Sequence, residues 1–429
     1  MNFELLHPAD QIVMLMERIY RYGMTTTSGG NLSVMDENGD LWITPGSIDK
    51  GSLTRRDIVC VRADGTVEGI HKPSIELPFH QTVYRRRPDV KAVLHAHPPA
   101  LVAFSIIRRI PDIRLVPNAR LVCGEVGMAA YSLPGSIALG DHIADVLAEG
   151  YQSVMLENHG VVVAGADLFQ AFMAFETLEY CARLEIEATR LGTPRSLNEE
   201  SIALMQLKQD SGMDEFIPRL HTSEERTARR EMCAFIQRAY DQQLFTSTQG
   251  TFSQRLGDGS FLITPYMQDR KYLEPADLVL IQHGMREAGK VPSRSALLHA
   301  MVYDAQPHVN SVLIAHPPHI MAFAVTDAAF DSRTIPESYI QLRHVPKLPF
   351  GSPFLDMEKV AGTFVESTPV AIVENDCVIV TGSSLLNAFD RLEVAEFSAK
   401  AILATRGLGD IVAISDAQVQ EIDEAFGLK

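Results

Sequence analysis

The chain has no C-x-x-C pair. Its five cysteines (Cys60, Cys123, Cys181, Cys233 and Cys377) are odd in number and scattered over 429 residues. That excludes a disulfide framework or a zinc ribbon and suits reduced thiols packed in a core. A basic excess is also missing. The formal net charge is −16, so nucleic acid and anionic membrane surfaces, which want a basic face, are excluded as main partners. A local positive pocket can still hold a small anion. No uncharged apolar run is long enough to span a bilayer. Met1 to Tyr20 carries Glu4, Asp10, Glu17 and Arg18, unlike a signal peptide. A cytoplasmic location is therefore expected. With 46% hydrophobic and 21% charged residues, composition is that of a globular protein, long enough for two or more domains.

What is present begins with Val93-Leu94-His95-Ala96-His97-Pro98-Pro99. On a strand, positions i and i+2 point to the same face, so His95 and His97 could reach one metal ion. Alone the pair is weak: with 14 histidines in 429 residues, chance gives roughly half such a pair. Its surroundings add weight. Upstream, Lys72-Pro73-Ser74-Ile75-Glu76 supplies a carboxylate; downstream, Glu157-Asn158-His159-Gly160 follows an apolar strand and supplies a third imidazole. Three histidines with an open fourth position have the form of a catalytic zinc site, and a nearby carboxylate that is not a ligand would be its acid/base. Taken singly, each histidine is better explained as a satisfied structural imidazole; the set favours metal.

Apolar spacing predicts helices over 7–22, 78–87, 101–108, 137–148 and 168–190. Gly-rich or Gly-ended turns are expected at Thr25–Ser33 and at Gly46-Ser47. The pattern then recurs in the same order. Ile43-Thr44-Pro45 matches Ile263-Thr264-Pro265, Pro73-Ser74 matches Pro292-Ser293, His97-Pro98-Pro99 matches His316-Pro317-Pro318, and Glu157-Asn158 matches Glu374-Asn375. Two homologous domains are expected, 1–208 and 209–429. They are not chemically equal. Glu76 is answered by Ser295, His95 by Ile314, His159 by Asp376 and Asn31 by Thr251; only His316 survives. Scaffold residues persist while the candidate chemical residues go as a group, which marks the first domain as the active one.

These motifs resemble the class II aldolase/adducin family. The likeness runs through Ser28-Gly29-Gly30-Asn31-Leu32-Ser33, Ile43-Thr44-Pro45, Lys72-Pro73-Ser74-Ile75-Glu76, His95-Ala96-His97 and Asn158-His159-Gly160. It implies an α/β fold: two tandem three-layer α/β/α domains with mainly antiparallel central sheets, the second degenerate. It implies Zn²⁺ (or another divalent metal) on His95, His97 and His159, with Glu76 moving the proton. An anion-binding set of Ser28, Gly30, Asn31, Ser47 and Ser74 is implied too. The sequence departs from the family pattern where Gly46-Ser47 reverses the usual order and where Ile75, which cannot donate a hydrogen bond, replaces a second serine. The phosphate site is thereby thinned, which opens it to a non-phosphorylated or carboxylate substrate such as a hydroxy-carbonyl acid. Family aldolases take a proton-donating tyrosine from a neighbouring subunit; near the corresponding place the first domain has Leu115 and the second has Tyr339, the candidate here. The implied activity is a zinc-dependent lyase that makes or breaks a C–C bond in a small hydroxy-carbonyl compound, a sugar phosphate among them, through a metal-stabilised enediolate. The rivals are a sugar-phosphate 4-epimerase using the same retro-aldol step, and a non-catalytic scaffold like adducin heads. A small-molecule substrate and a homo-oligomer are implied as partners.

Overall fold

The computed structural model describes residues 3–205 and 212–428. The chain packs as two compact units. One runs to Ile113 and resumes over Asn118–Arg183; the other comprises Arg114–Pro117 and the chain from Leu184 on. The domain boundary expected at 208/209 lies outside the described residues.

In the first unit, strands β1 (Asn31–Met35), β2 (Leu41–Ile43), β3 (Val59–Val61), β4 (Val67–Glu68), β5 (Ala92–Ala96), β6 (Val126–Ala129), β7 (Ser153–Leu156) and β8 (Val161–Gly165) form one sheet. Its order is β4-β3-β2-β1-β5-β8-β7-β6, and only β6 and β7 pair in parallel. The helices are α1 (Pro8–Arg21), α2 (Leu77–Arg86), α3 (Pro99–Ile106), α4 (Pro117–Cys123), α5 (Ile137–Ala148) and α6 (Leu168–Leu191), the last turns of α6 and the short α7 (Glu199–Leu204) counting with the other unit. Phe79 and Val83 of α2 and Leu139, Ile143 and Leu147 of α5 pack onto Ile43, Val93 and Val162 of the sheet. On the other face, α1 buries Ile12, Leu15, Met16 and Ile19, the stripe that its helical period marks. Buried Arg18 of α1 lies over the Phe172 ring of α6 at 4.6 Å. The arginines at the end of α2 are more than a solvated helix end: Arg86 pairs with Asp145 of α5, and Arg87 donates to Leu147 O at 2.5 Å.

The second unit repeats this plan. Strands β9 (Glu215–Phe216), β10 (Thr251–Arg255), β11 (Phe261–Ile263), β12 (Val279–Gln282), β13 (Met285–Glu287), β14 (Ser311–Ala315), β15 (Lys347–Leu348), β16 (Val370–Val373) and β17 (Val378–Gly382) lie in the order β15-β16-β17-β14-β10-β11-β12-β13-β9. That is the first sheet's order with β9 added at the edge. Its helices are α8 (Ser223–Asp241), α9 (Ala296–Ala305), α10 (Pro318–Ala324), α11 (Pro336–Leu342), α12 (Ser352–Leu355), α13 (Met357–Thr363), α14 (Leu385–Ala404) and α15 (Asp416–Phe426). Strand register is conserved as well: Asn31 faces His95 across β1 and β5, and Thr251 faces Ile314 across β10 and β14. Each unit is thus a three-layer α/β/α domain with a mainly antiparallel sheet, as expected. Among the described residues, no helix is long and apolar enough to cross a membrane.

Candidate active site

Strand alternation aims His95. Val93 belongs to the core beneath α2, so His95, two residues on, points to the same side. There its ring meets Phe79 edge-on, centroids 5.8 Å apart. His97 follows the end of β5, and Pro98 and Pro99 open α3, where a missing N–H is harmless. The β7–β8 turn presents His159 between Asn158, at φ +54°, and Gly160. The three rings lie 4.6, 4.9 and 5.0 Å apart by centroid, and one ligand atom from each falls within 4.8 Å of the others. His95 Nδ1 is 3.0 Å from Val161 O. A carbonyl only accepts, so Nδ1 carries the proton and Nε2 keeps its lone pair. That Nε2 sits 3.0 Å from His97 Nε2.

Two glycines allow this closeness. A Cβ on Gly30, at φ +71°, would come within 2.8 Å of His95 O. One on Gly160 would come within 2.5 Å of Ala96 O and 2.7 Å of His97 Cδ2.

Glu76 stands at the N-terminus of α2, buried, with Oε2 at 3.4 Å from His95 Nε2. Asn31 Nδ2 donates to the same Oε2 at 2.7 Å. The carboxamide is thereby oriented, and every further proton is assigned in turn. Asn31 Oδ1 must accept, so His80 Nε2 donates to it, at 2.5 Å. His80 Nδ1 then accepts from Ser33 Oγ at 2.6 Å, and Ser33 Oγ accepts from Tyr84 Oη at 2.7 Å. All four donors point toward the carboxylate. The other oxygen, Glu76 Oε1, is buried and has no partner, a demand that a buried polar atom rarely leaves unmet.

Burial holds the His95 imidazole down to about 3, with His159 adding to the effect and the bond to Val161 opposing it. Burial, then His95 and His159, holds His97 at about 3 against the pull of Glu76. His159 is lowered by burial, opposed by Glu76. Burial, with His95 adding, pushes His80 well below the usual range. Three neutral imidazoles beside a carboxylate oxygen with no partner are a donor set that fits a divalent cation.

Of the expected anion-binding residues, Gly30 packs against His95 O, and Asn31 and Ser74 bond Glu76. A Cβ on Gly29 would lie 3.1 Å from His97 Nδ1, and one on Gly46 would lie 3.2 Å from Pro73 O. Exposed Ser47 takes φ +57°. Ser74 Oγ accepts from the Glu76 N–H at 3.3 Å. Ser28 is exposed and Gly30 buried, while the Asn31 carboxamide is taken up by Glu76 and His80. Tyr339 lies on α11 of the second unit, where its hydroxyl donates to Asp423 of α15 at 3.0 Å. Both α4 and α11 begin with proline, so Tyr339 answers to Arg120 by position, not to the neighbourhood of Leu115. In the second unit, Thr251, Ser293 and Ser295 bond one another at 2.8 and 3.0 Å where Asn31, Ser74 and Glu76 meet in the first. Its Tyr303–Ser253–His299 chain persists, so that part of the network is scaffold.

Two residues near the site went unread in the sequence. Lys50 is buried with Nζ on Pro45 O at 2.5 Å, and burial lowers it to about 8. Glu179 of α6 accepts the Leu101 N–H at the start of α3. Its counterpart Glu396 accepts from His319 and Ile320 at the start of α10, so a comparison of the two repeats could have found Glu179.

The sequence profile described as Class II Aldolase and Adducin N-terminal domain matches residues 10–186 and again 230–403. The 5-deoxy-D-ribulose 1-phosphate aldolase of Bacillus thuringiensis is 29% identical over 45% of this chain and 91% of its own. The L-fuculose phosphate aldolase of Methanococcus maripaludis is 33% identical over 40% and 89%. The 3-oxo-tetronate 4-phosphate decarboxylase of Pectobacterium atrosepticum is 33% identical over 41% and 81%. Each is thus matched over most of its length by less than half of this chain.

Proposed function

The chain belongs to the class II aldolase and adducin N-terminal domain family, and from that premise we propose that its first repeat is a zinc-dependent lyase site and its second a degenerate copy. The observation that carries the reading is the junction of three neutral histidines with a buried carboxylate that has one oxygen held and one free. His95, His97 and His159 would hold the ion; with nitrogen ligands and an open position, zinc suits them. Bound there, it supplies a Lewis acid that draws electron density from a substrate carbonyl.

The chain's own residues do the rest. Glu76 is the acid/base: Asn31 fixes Oε2, and Oε1 is left to take the hydroxyl proton of a β-hydroxy-carbonyl substrate as its C–C bond breaks, then to return it. The His80–Ser33–Tyr84 chain holds Asn31 in the one orientation that donates to Glu76. Ser28, Gly30, Ser47 and Ser74 form the anion-facing turns, with Asn31 joined to them through its hold on Glu76. Exposed Ile75 stands where a second hydroxyl would serve a phosphate. Tyr339 is the candidate hydrogen-bond donor to the oxygen of the departing aldehyde, keeping its own proton because Glu76 carries the one released. Burial and the bond to Asp423 raise its phenol, so it stays protonated at neutral pH. The relatives' names all carry a phosphate, so a sugar phosphate is the favoured substrate class. Five buried cysteines, none of them in a disulfide among the described residues, suit a reducing compartment. Exposed Ile75, Leu133 and Ile137, at 73, 69 and 75%, suit burial against another subunit in a homo-oligomer.

A second reading, decarboxylation, is favoured by the decarboxylase relative, since it too breaks a bond beside a carbonyl. Product analysis on a panel of ketose phosphates and 3-oxo acid phosphates separates the outcomes. Two carbon fragments support the aldolase, an isomer of equal mass a 4-epimerase, and CO₂ the decarboxylase. No turnover of any of them by metal-loaded protein would favour the scaffold.

A further inference from the structure

We propose that the second repeat carries a binding site of its own for a small organic phosphate ester, in the cavity between the end of β17, α14 and the end of α15. The cavity measures about 300 Å³, near the lower end for small-molecule sites. Arg391 of α14 lines it. Nη1 of this guanidinium donates to Thr381 O at 2.7 Å, while Nε is shut away from water without any acceptor. The Nε edge of an arginine is one half of the fork that grips two oxygens of a phosphate or carboxylate. A buried donor left in that state asks for an acceptor from outside the chain.

A second cation lines the same cavity. Arg343 closes α11 at φ +53° and ψ −119°, a backbone conformation that favours glycine. Strain of that kind in a residue other than glycine persists where the surroundings insist on the side chain's position. Asp423 takes one of its N–H groups at 3.1 Å. The other acid on the rim, Glu366, is exposed. Two guanidinium groups match a dianion better than a lone carboxylate. Val309, Ile340 and Val365 give the cavity an apolar side, with His308, Ser383 and Asn387 among the residues lining the rest, so the ligand has a short carbon part beside its charge. This is no relic of the first repeat. At the offset that aligns Gly165 with Gly382, Arg391 corresponds to Ala174 and Thr381 to Ala164. The cation exists only where the metal-binding set has been lost.

The test is hydrogen exchange by mass spectrometry on the full chain. Inorganic phosphate, glycerol 3-phosphate and chloride are compared at matched ionic strength, in wild type and Arg391→Gln. Glycerol 3-phosphate is expected to slow exchange in peptides covering 378–392 and 420–428. It should act at about four- to fifteenfold lower concentration than inorganic phosphate, the gain from burying one or two methylenes. Arg391→Gln should abolish the effect. Should that variant not fold, Ile340→Asp places a repelling charge in the cavity without touching the Arg391–Thr381 bond, and it should also abolish protection. Protection confined to the first repeat would overturn the proposal. So would protection unchanged in the folded variants, or an equal response to ester and inorganic phosphate, which leaves the apolar wall without a ligand.

Discussion

Gly160→Ala tests whether close packing is what gathers the three histidines. The added methyl would meet Ala96 O at 2.5 Å and His97 Cδ2 at 2.7 Å. Neither is the loose end of a flexible side chain. One is the carbonyl that ends β5, the other the ring of a candidate ligand. The φ of Gly160 lies outside the left-handed region, so the effect is steric alone. Overpacking of this kind costs about 1–3 kcal/mol. Reduced freedom of the unfolded chain returns about 0.4–1 kcal/mol. The steric term wins, for a net loss of about 1–2 kcal/mol in the metal-free protein. Relief requires β5 and the 157–160 turn to part, which carries His97 away from His159. Displaced support for metal ligands weakens binding by about 10–100-fold. In a zinc titration that stabilises wild type by about 2.7 kcal/mol at one hundred times its Kd, the same free zinc would stabilise the variant by only about 0.4–1.4 kcal/mol. Urea unfolding with and without zinc, beside competition with a chromophoric chelator, reads both quantities. Gly362→Ala is the control: nothing lies within 4 Å of its Cβ and its φ is ordinary, so stability should hold or rise. A Gly160→Ala protein matching that control in stability and in zinc affinity would refute the reasoning.

Glu179 is expected to make stability depend on pH. Burial raises its carboxyl from 4.5 to about 7 in the folded state. The fold therefore binds the extra proton between those values, and its contribution is full below 4.5 and lost as pH rises toward 7. The loss is about 3 kcal/mol at 1.36 kcal/mol per pH unit, and urea midpoints at pH 5 and pH 8 should show it in wild type but not in Glu179→Gln. Asn31→Ala removes the hydrogen bond to Glu76. A bond to a charged group is worth about 1.5–3 kcal/mol, so turnover should fall by about 10–100-fold while zinc content stays at the wild-type level. Metal loss in this variant would move Asn31 from orienting the acid/base to building the site. Tyr339→Phe should depress turnover and leave metal affinity unchanged, and unaltered turnover would remove Tyr339 from the chemistry.

Much of the fold was legible because two independent patterns coincide. The amphipathic period of α1 fell within a residue of its ends, and the repeat forecast the second sheet from the first. Short elements escaped. The seven-residue helices α4 and α11 are too short to display a period, so Tyr339 was first aligned beside Leu115. Of the site, His95 and His97 were legible because a strand's two-residue period aims both at once. Glu76 and His159 came through motif order. The bond between Asn31 and Glu76 spans 45 residues, and nothing local in either segment announces it; Asn31 was read as a donor to an anion, yet it is the hand that holds the acid/base. Glu179 was lost in the stripe of Phe172, Phe175 and Leu178, where a carboxylate among core residues has no visible partner until α3 folds against it.

The central claim is one live metal site, in the first repeat. Elemental analysis of purified protein, wild type beside the His95→Ala/His97→Ala double variant, tests it most directly. About one zinc or other divalent ion per chain in wild type, and none in the double variant with its fold intact, is the predicted result. A folded wild type that holds no metal and takes none up would contradict the lyase site, and two ions per chain would contradict the degeneracy of the second repeat.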